Sequence, residues 1–249
     1  MARAPRLAAR IAKPDPVLGI ISGHVEPALI ELIAQAGYDF YVIDVEHCSA
    51  SDRELEECVR AGDAAGIPIL ARLNRSELHR VPHFLDAGGD GIILAHTMGV
   101  DDIDTLVAEC SYPPNGKRGA STTRIARYGF EPTTEEWLRA EEAALFIGAL
   151  IEEPEGLEAV DRIAAHPAVD VLFVGTRDLS LALGIPGDLG NTRIVAAMRE
   201  VEAAAAKYRK PVAAMVRQIA SSHGGAQVRL VGIGAILKYA VDALREHAL

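Results

Sequence analysis

The chain of 249 residues carries a net charge of -10, and 49% of its residues are hydrophobic, as in ordinary globular proteins. The negative charge and an aromatic content of only 5% argue against a nucleic acid or an anionic membrane surface as the main partner. No apolar run approaches the roughly 20 residues that span a bilayer, and the three cysteines lack metal-type spacing, so we expect a cytoplasmic protein with reduced thiols.

Short β-branched runs alternate with helical patterns rich in Ala, Glu and Arg along the whole sequence. Continuous apolar strands separated by helices favour parallel pairing with both faces covered. Eight such strands, each followed by a helical pattern, predict an α/β fold: one (β/α)8 TIM barrel over residues 1–249, with a doubly wound sheet as the alternative. The predicted strands cover residues 17–22, 40–46, 68–72, 91–96, 146–152, 169–175, 211–216 and 228–235.

Two connections between these strands have distinctive patterns. After the second strand, Ser51 and Glu54 have the spacing of a capping box, and the helix that they begin is expected to close at Gly66. Between the fourth and fifth strands, residues 111–145 form a much longer connection with five Arg or Lys residues. We expect this inserted loop and helix region to start on the catalytic face of the barrel, because it follows the end of a strand.

Polar residues end several of the predicted strands. In a parallel barrel these ends form one rim, where the active site is built. Any single one of them could instead be an ordinary strand end that reaches solvent. The rim residues are Asp44, Glu46 and His47 at the end of the second strand, Arg72 at the end of the third, Ala95 and His96 at the end of the fourth, Glu152 and Glu153 at the end of the fifth, and Asp178 in the segment after the sixth.

Glu152 and Asp178 each follow an apolar run, at the edge of the core. Two nearby carboxylates repel unless a cation or a proton joins them, and Mg²⁺ or Mn²⁺ takes such ligands. Alternatively, both are ordinary acids at helix starts. The cluster of Asp44, Glu46 and His47 is open to three interpretations: a metal site, an acid/base site or an exposed strand end. Cys48 is less easily explained as a nucleophile than as a packing residue.

Six sequence stretches, in order, form a recognisable pattern: DVEH, LAR, FLDAGGDGIIL, YPPNGKRG, LIEEPEGLEAVDRIA and VLFVGTRDLSLALGIPG. Together they resemble the HpcH/HpaI aldolase family, which comprises metal-dependent class II pyruvate aldolases. The resemblance covers residues 17–190 and, more loosely, the last two strands. It implies a modified TIM barrel of the phosphoenolpyruvate/pyruvate superfamily, assembled as a homo-oligomer (a hexamer or a trimer).

The resemblance also implies roles for the rim residues. Glu152 and Asp178 would bind a divalent metal (Mg²⁺, Mn²⁺ or Co²⁺), and Arg72 would contact the pyruvate oxygen. His47 would be catalytic, with Asp44 as its supporting carboxylate. The further residues are Gly175, Thr176 and Arg177 as the turn that holds the substrate carboxylate, His96 as a candidate substrate contact, and Glu46, Asp86 and Arg118 as supporting residues.

The implied reaction is the cleavage of a small 4-hydroxy-2-oxo acid to pyruvate and an aldehyde through a pyruvate enolate. Other metal-enolate reactions remain as alternatives, namely oxaloacetate decarboxylation and condensation or cleavage of a CoA ester or a citrate-type acid, and a non-catalytic barrel is the third hypothesis. A Schiff-base mechanism would need a lysine at the carboxyl end of a strand, and none of the five lysines has such a position. The sequence departs from the family pattern at Thr176 and Arg177, where relatives have Pro and a small residue.

Overall fold

The computed structural model describes residues 6–13, 15–130, 132–216 and 226–246. Its eight strands form a closed barrel in which every neighbouring pair is parallel and β8 returns to pair with β1. All eight predicted strands and the TIM barrel are therefore confirmed. The strands are β1 (Val17–Ser22), β2 (Phe40–Asp44), β3 (Ile69–Leu73), β4 (Gly91–Leu94), β5 (Phe146–Ile151), β6 (Val171–Val174), β7 (Val212–Val216) and β8 (Val228–Gly232).

Helices follow the strands wherever the structure describes the connection, and they cover the outside of the barrel. The end of the last predicted strand is helical instead, because α11 begins at Ile233. No described helix is long and apolar enough to cross a membrane. The helices are α1 (Arg6–Ile11), α2 (Pro27–Gln35), α3 (Asp52–Ala65), α4 (Val81–Ala87), α5 (Val100–Cys110), α6 (Glu135–Ala144), α7 (Pro154–Glu158), α8 (Val160–Ala165), α9 (Thr176–Ala182), α10 (Thr192–Lys207) and α11 (Ile233–Glu246).

The amino-terminal end of the barrel is closed by α1. Leu7 and Ile11 are buried in the same apolar cluster as the strand residues that fill the barrel interior. Arg10 holds the helix in place through an ion pair of 2.9 Å with Asp39, the residue before β2. Since this end is sealed, a ligand must enter from the carboxyl-terminal end of the strands.

The helix after β2 has the predicted ends. The Ser51 hydroxyl accepts a hydrogen bond from the Glu54 N–H, and the Glu54 carboxylate accepts one from the Ser51 N–H, which completes the capping box. Gly66 ends α3 with a left-handed φ of 74°. This anchoring fixes the helix that follows the polar end of β2.

The inserted region 111–145 lies at the opposite end of the barrel from the one we expected. A helix, α5, intervenes between β4 and this region and carries the chain back to the amino-terminal end. There Arg124 binds Asp63 and the Ala87 carbonyl, near the last residues of α3 and α4. The connection after β4 begins with a complete helix, α5, that returns the chain to the other end of the barrel before the inserted region starts.

Candidate active site

A cavity of about 490 Å³ opens at the carboxyl-terminal end of the barrel. Apolar side chains from the barrel interior form its floor, including Ile93, Leu150 and Phe173. Polar groups that follow β2, β3, β5 and β6 form its wall. The structure thereby brings together most of the predicted residues: Asp44, His47, Arg72, Glu152, Gly175, Thr176, Arg177 and Asp178 line the cavity.

Asp44 and Arg72 form a two-pronged ion pair across neighbouring strands. They are register partners of β2 and β3. Arg72 Nε donates to Asp44 Oδ1 at 2.8 Å, and Nη2 donates to Oδ2 at 2.6 Å. Both side chains are 14% exposed, so water screens the pair only partly. The Asp44 carboxylate thus holds Arg72, because the parallel register sets the two side chains opposite each other; its support of His47 stays a prediction.

The chain after β2 turns through a short 3-10 helix, Val45–His47, which points Glu46 inward and His47 outward. Glu46 has a side-chain exposure of 6%, and its carboxylate lies 3.6 Å from Arg72 Nε. His47 is 63% exposed, and its Nε2 lies 4.0 Å from Glu46 Oε2. The imidazole therefore faces the cavity and remains accessible to a ligand.

His96 lies behind the cavity wall, among three carboxylates. Its backbone has a φ of 50°, which is uncommon for a residue with a side chain. Nδ1 is 3.0 Å from Glu153 Oε1 and 3.7 Å from Glu152 Oε1, and Nε2 is 3.2 Å from Glu46 Oε1. Burial lowers the pKa of His96, but the charges of Glu152, Glu46 and Glu153 together outweigh it and raise the pKa above its ordinary value. The ring is thus held by these carboxylates, and the substrate contact of His96 stays a prediction.

Glu152 follows β5 and is almost completely buried, with 1% exposure. Its Oε1 accepts a hydrogen bond of 2.8 Å from the His96 N–H. Burial raises the pKa of Glu152 to about 7; contact with His96 opposes this rise, whereas the negative charges of Asp178 and Glu46 add to it. A shift from 4.5 to about 7 corresponds to roughly 3 kcal/mol against the ionised form. A cation at this position would remove that penalty.

Gly175 makes the space that the Glu152 carboxylate occupies. A Cβ atom at position 175 would lie 2.3 Å from Glu152 Oε2 and 2.6 Å from Glu152 Cβ. Gly175 follows the last residue of β6 and leads into α9, whose first turn carries Asp178. The close approach of these two segments therefore sets both carboxylates at one edge of the cavity.

Two sets of described residues could hold a divalent cation. Glu152 and Asp178 border the open cavity, whereas Glu46, His96 and Glu152 have ligand atoms within 4.8 Å of one another. A histidine binds a metal only as neutral imidazole, and the surrounding carboxylates favour protonated His96. Glu152 and Asp178 therefore fit better, and their all-oxygen donors suit Mg²⁺ or Mn²⁺.

Two of the predicted supporting residues lie outside this site. Arg118, with 2% exposure, donates to Asp86 Oδ1 at 2.7 Å and lies over the Tyr112 ring. Asp86 is near the last residue of α4, at the amino-terminal end of the barrel. Arg118 and Asp86 therefore anchor the inserted region and not the catalytic rim. Their place could not be read from the sequence because it depends on where α5 ends.

Glu153 is a site residue that the sequence placed on the rim without a role. Its carboxylate contacts His96 and, with Glu46, fixes the ring beside Glu152. The acidic pair at the end of β5 indicated that one of the two would lie on the rim. The residue pattern around His96 does not predict its φ of 50°, with which the ring lies toward Glu153.

Comparison with known proteins bears on this geometry. Residues 19–225 match the family model described as HpcH/HpaI aldolase/citrate lyase. A hydroxypyruvate/pyruvate aldolase of Paraburkholderia phytofirmans is 31% identical over 249 residues, which cover 96% of this chain and 95% of that protein.

Two solved structures resemble the whole barrel. An HpcH/HpaI aldolase/citrate lyase family protein of Burkholderia cenocepacia has a TM-score of 0.87 and 29% identity, with 98% of this chain and 99% of that chain covered. The citrate synthase SbnG has a TM-score of 0.81 and 28% identity, with 97% of each chain covered.

Proposed function

The chain belongs to the HpcH/HpaI aldolase/citrate lyase family, and from that premise we propose that it is a metal-dependent aldolase. It cleaves a 4-hydroxy-2-oxo acid to pyruvate and an aldehyde, and it also catalyses the reverse addition. One observation carries this proposal: Glu152, Asp178, Arg72 and His47 line a single cavity at the open end of the barrel.

Glu152 and Asp178 would hold the cation, which is Mg²⁺, Mn²⁺ or Co²⁺. Bound there, a divalent cation supplies Lewis acidity to the 2-oxo group of the substrate. Gly175 keeps the Glu152 carboxylate in place by leaving room for it. The turn of Gly175, Thr176 and Arg177 lies on the cavity wall and would hold the substrate carboxylate; the Gly175 N–H itself donates to the Ile151 carbonyl and fixes the turn beside β5.

Arg72 supplies a fixed positive charge where the enolate oxygen forms. Its Nε and Nη2 are held by Asp44, whereas Nη1 makes no hydrogen bond to any of the described residues. A guanidinium held in this way loses little conformational freedom when a ligand oxygen binds. Asp44 is thus a positioning residue for Arg72.

His47 handles the proton of the 4-hydroxyl group. Its exposed imidazole takes that proton as the bond between C3 and C4 breaks and the electron pair moves into the enolate. The enolate then receives a proton at C3 and becomes pyruvate, while the other fragment leaves as the aldehyde. Glu46 Oε2 lies 4.0 Å from His47 Nε2, on the inner side of the ring.

Condensation of an enolate with a second oxo acid is the alternative function. The similarity to the citrate synthase SbnG favours it, because that barrel shares 28% of aligned residues with this chain. The same four residues would serve, since addition of the enolate to a carbonyl is the reverse of aldol cleavage. Product analysis with pyruvate and oxaloacetate as acceptors separates the two activities.

We also infer that the protein forms a homo-oligomer, a hexamer or a trimer, in the cytoplasm. No residue of α11 is buried, and its exposed apolar side chains include Leu237 at 62% and Leu244 at 71%. Such a helix is typical of one that packs in an assembly. Light scattering gives the mass, and the three free cysteines agree with a reducing compartment.

The test of the proposed function is pyruvate release from a panel of 4-hydroxy-2-oxo acids. We expect activity that is lost after exhaustive chelation and restored by Mg²⁺, Mn²⁺ or Co²⁺. Turnover that survives chelation would overturn the metal mechanism. A lysine adduct trapped by borohydride would replace it with a Schiff-base route.

A further inference from the structure

Building on the proposed function, we propose that Arg177 selects substrates whose aldehyde half carries a second carboxylate. Arg177 lies in the first turn of α9 and lines the cavity beside Asp178. The preferred substrates would accordingly be 4-hydroxy-2-oxo diacids and not acids that end in a neutral group.

No carboxylate in the described part of the chain uses the charge of Arg177. Its carbonyl accepts a hydrogen bond from the Ser180 hydroxyl, but its guanidinium forms no ion pair with any carboxylate of the described residues. By contrast, the arginines after β3 are paired, Arg75 with Asp102 and Arg80 with Asp52. An unpaired guanidinium at the edge of a cavity is suited to bind a carboxylate through its planar fork of donors.

The first carboxylate of the substrate does not need Arg177. In the proposed function this carboxylate, together with the 2-oxo group, lies against the cation site, Arg72 and the backbone near Gly175. The cavity of about 490 Å³ is much larger than this three-carbon half requires, since one water molecule takes up about 30 Å³. Among the described residues, the remaining space lies between Met215, Val216 and the polar wall, and we assign it to the second half.

A second negative charge in this space would otherwise meet repulsion. Asp44, Glu152 and Asp178 all line the cavity, and the whole chain is acidic, with a net charge of -10. Arg72 is already engaged by Asp44 through two of its nitrogens, and its remaining donor is assigned to the enolate oxygen. Arg177 therefore supplies the positive charge that offsets this repulsion and lets a dianionic substrate bind at this rim.

The test compares two 4-hydroxy-2-oxo acids of equal chain length, one ending in a carboxylate and one in a hydroxymethyl group. For Arg177→Gln we expect the ratio of kcat/KM for the charged substrate to that for the neutral one to fall about tenfold, as for a lost charged hydrogen bond. Arg177→Lys should restore part of the ratio. The loss should shrink at high salt, because the contact is at an exposed rim.

Arg199→Gln is the matched control, since Arg199 is an exposed arginine on α10 outside the cavity; both rates should equal those of the wild type. An unchanged ratio in Arg177→Gln, with both rates falling together or neither falling, would overturn this inference alone. If the wild-type enzyme released pyruvate from neither substrate, the proposed function would fall, and the inference with it.

Discussion

Replacing Gly175 by alanine should displace Glu152, because the new methyl group would clash with both its carboxylate and its Cβ atom. Gly175 has a φ of -80° and a ψ of 69°, so its conformation does not itself require glycine. The new methyl group would lie 2.3 Å from Glu152 Oε2. Ordinary contact begins near 3.4 Å, so the carboxylate must move by about 1 Å. Because metal ligands must sit within about 0.2 Å of their ideal distances, we expect the affinity for Mn²⁺ to fall by at least 100-fold.

Calorimetric titration of the metal-depleted protein with Mn²⁺ measures this effect. Gly119→Ala is the control, since a Cβ atom there meets nothing within 4 Å, and it should bind Mn²⁺ like the wild type. Thermal unfolding in chelator reports the steric strain separately, at about 1–3 kcal/mol. Wild-type Mn²⁺ affinity in Gly175→Ala would refute the assignment of Glu152 as a metal ligand in this geometry.

Four further predictions concern protonation, charge, proton transfer and folding. The pKa of Glu152 is raised from 4.5 to about 7. Between these pH values the folded metal-free protein keeps a proton on Glu152 that the unfolded chain has released. The free energy of unfolding should therefore fall as the pH rises from 4.5 to 7. The metal competes with that proton for the Glu152 carboxylate. The apparent affinity for the metal, measured by titration at several pH values, should therefore rise about tenfold per pH unit up to pH 7 and then level off. Arg72→Lys keeps the charge but not the paired hydrogen bonds, and kcat should fall by about 10²-fold in the pyruvate assay. His47→Asn should lower turnover by about 10²- to 10⁴-fold with Mn²⁺ affinity unchanged, whereas an equal loss of both would contradict its role in proton transfer. Arg118→Ala leaves Asp86 without its buried partner and should lower the free energy of unfolding by about 3 kcal/mol, with KM unchanged for the fraction that folds.

The barrel could be predicted from the sequence because each strand is a short apolar run followed by a helical pattern. The polar strand ends, such as Arg72 and Glu152, could be assigned to one rim for the same reason. The contacts among these ends were harder to predict. Asp44 and Arg72 pair because β2 and β3 align them in register, which requires the exact strand boundaries.

Other features depend on positions that residue patterns do not report. His96 joins the carboxylate cluster through a left-handed backbone conformation at the end of β4. The inserted region reverses ends because α5 runs its full length before residue 111. The connection length alone shows that an insertion exists but not which end of the barrel receives it.

Turnover during metal titration tests the central claim most directly. Metal-depleted enzyme is supplied with a 4-hydroxy-2-oxo acid, Mn²⁺ is added stepwise, and pyruvate release is followed in the wild type and in Asp178→Ala. We predict that wild-type turnover rises from near zero to saturation as Mn²⁺ binds, whereas the variant stays inactive over the same range. Full turnover without metal, or wild-type turnover in Asp178→Ala, would contradict metal-dependent aldol cleavage at this site.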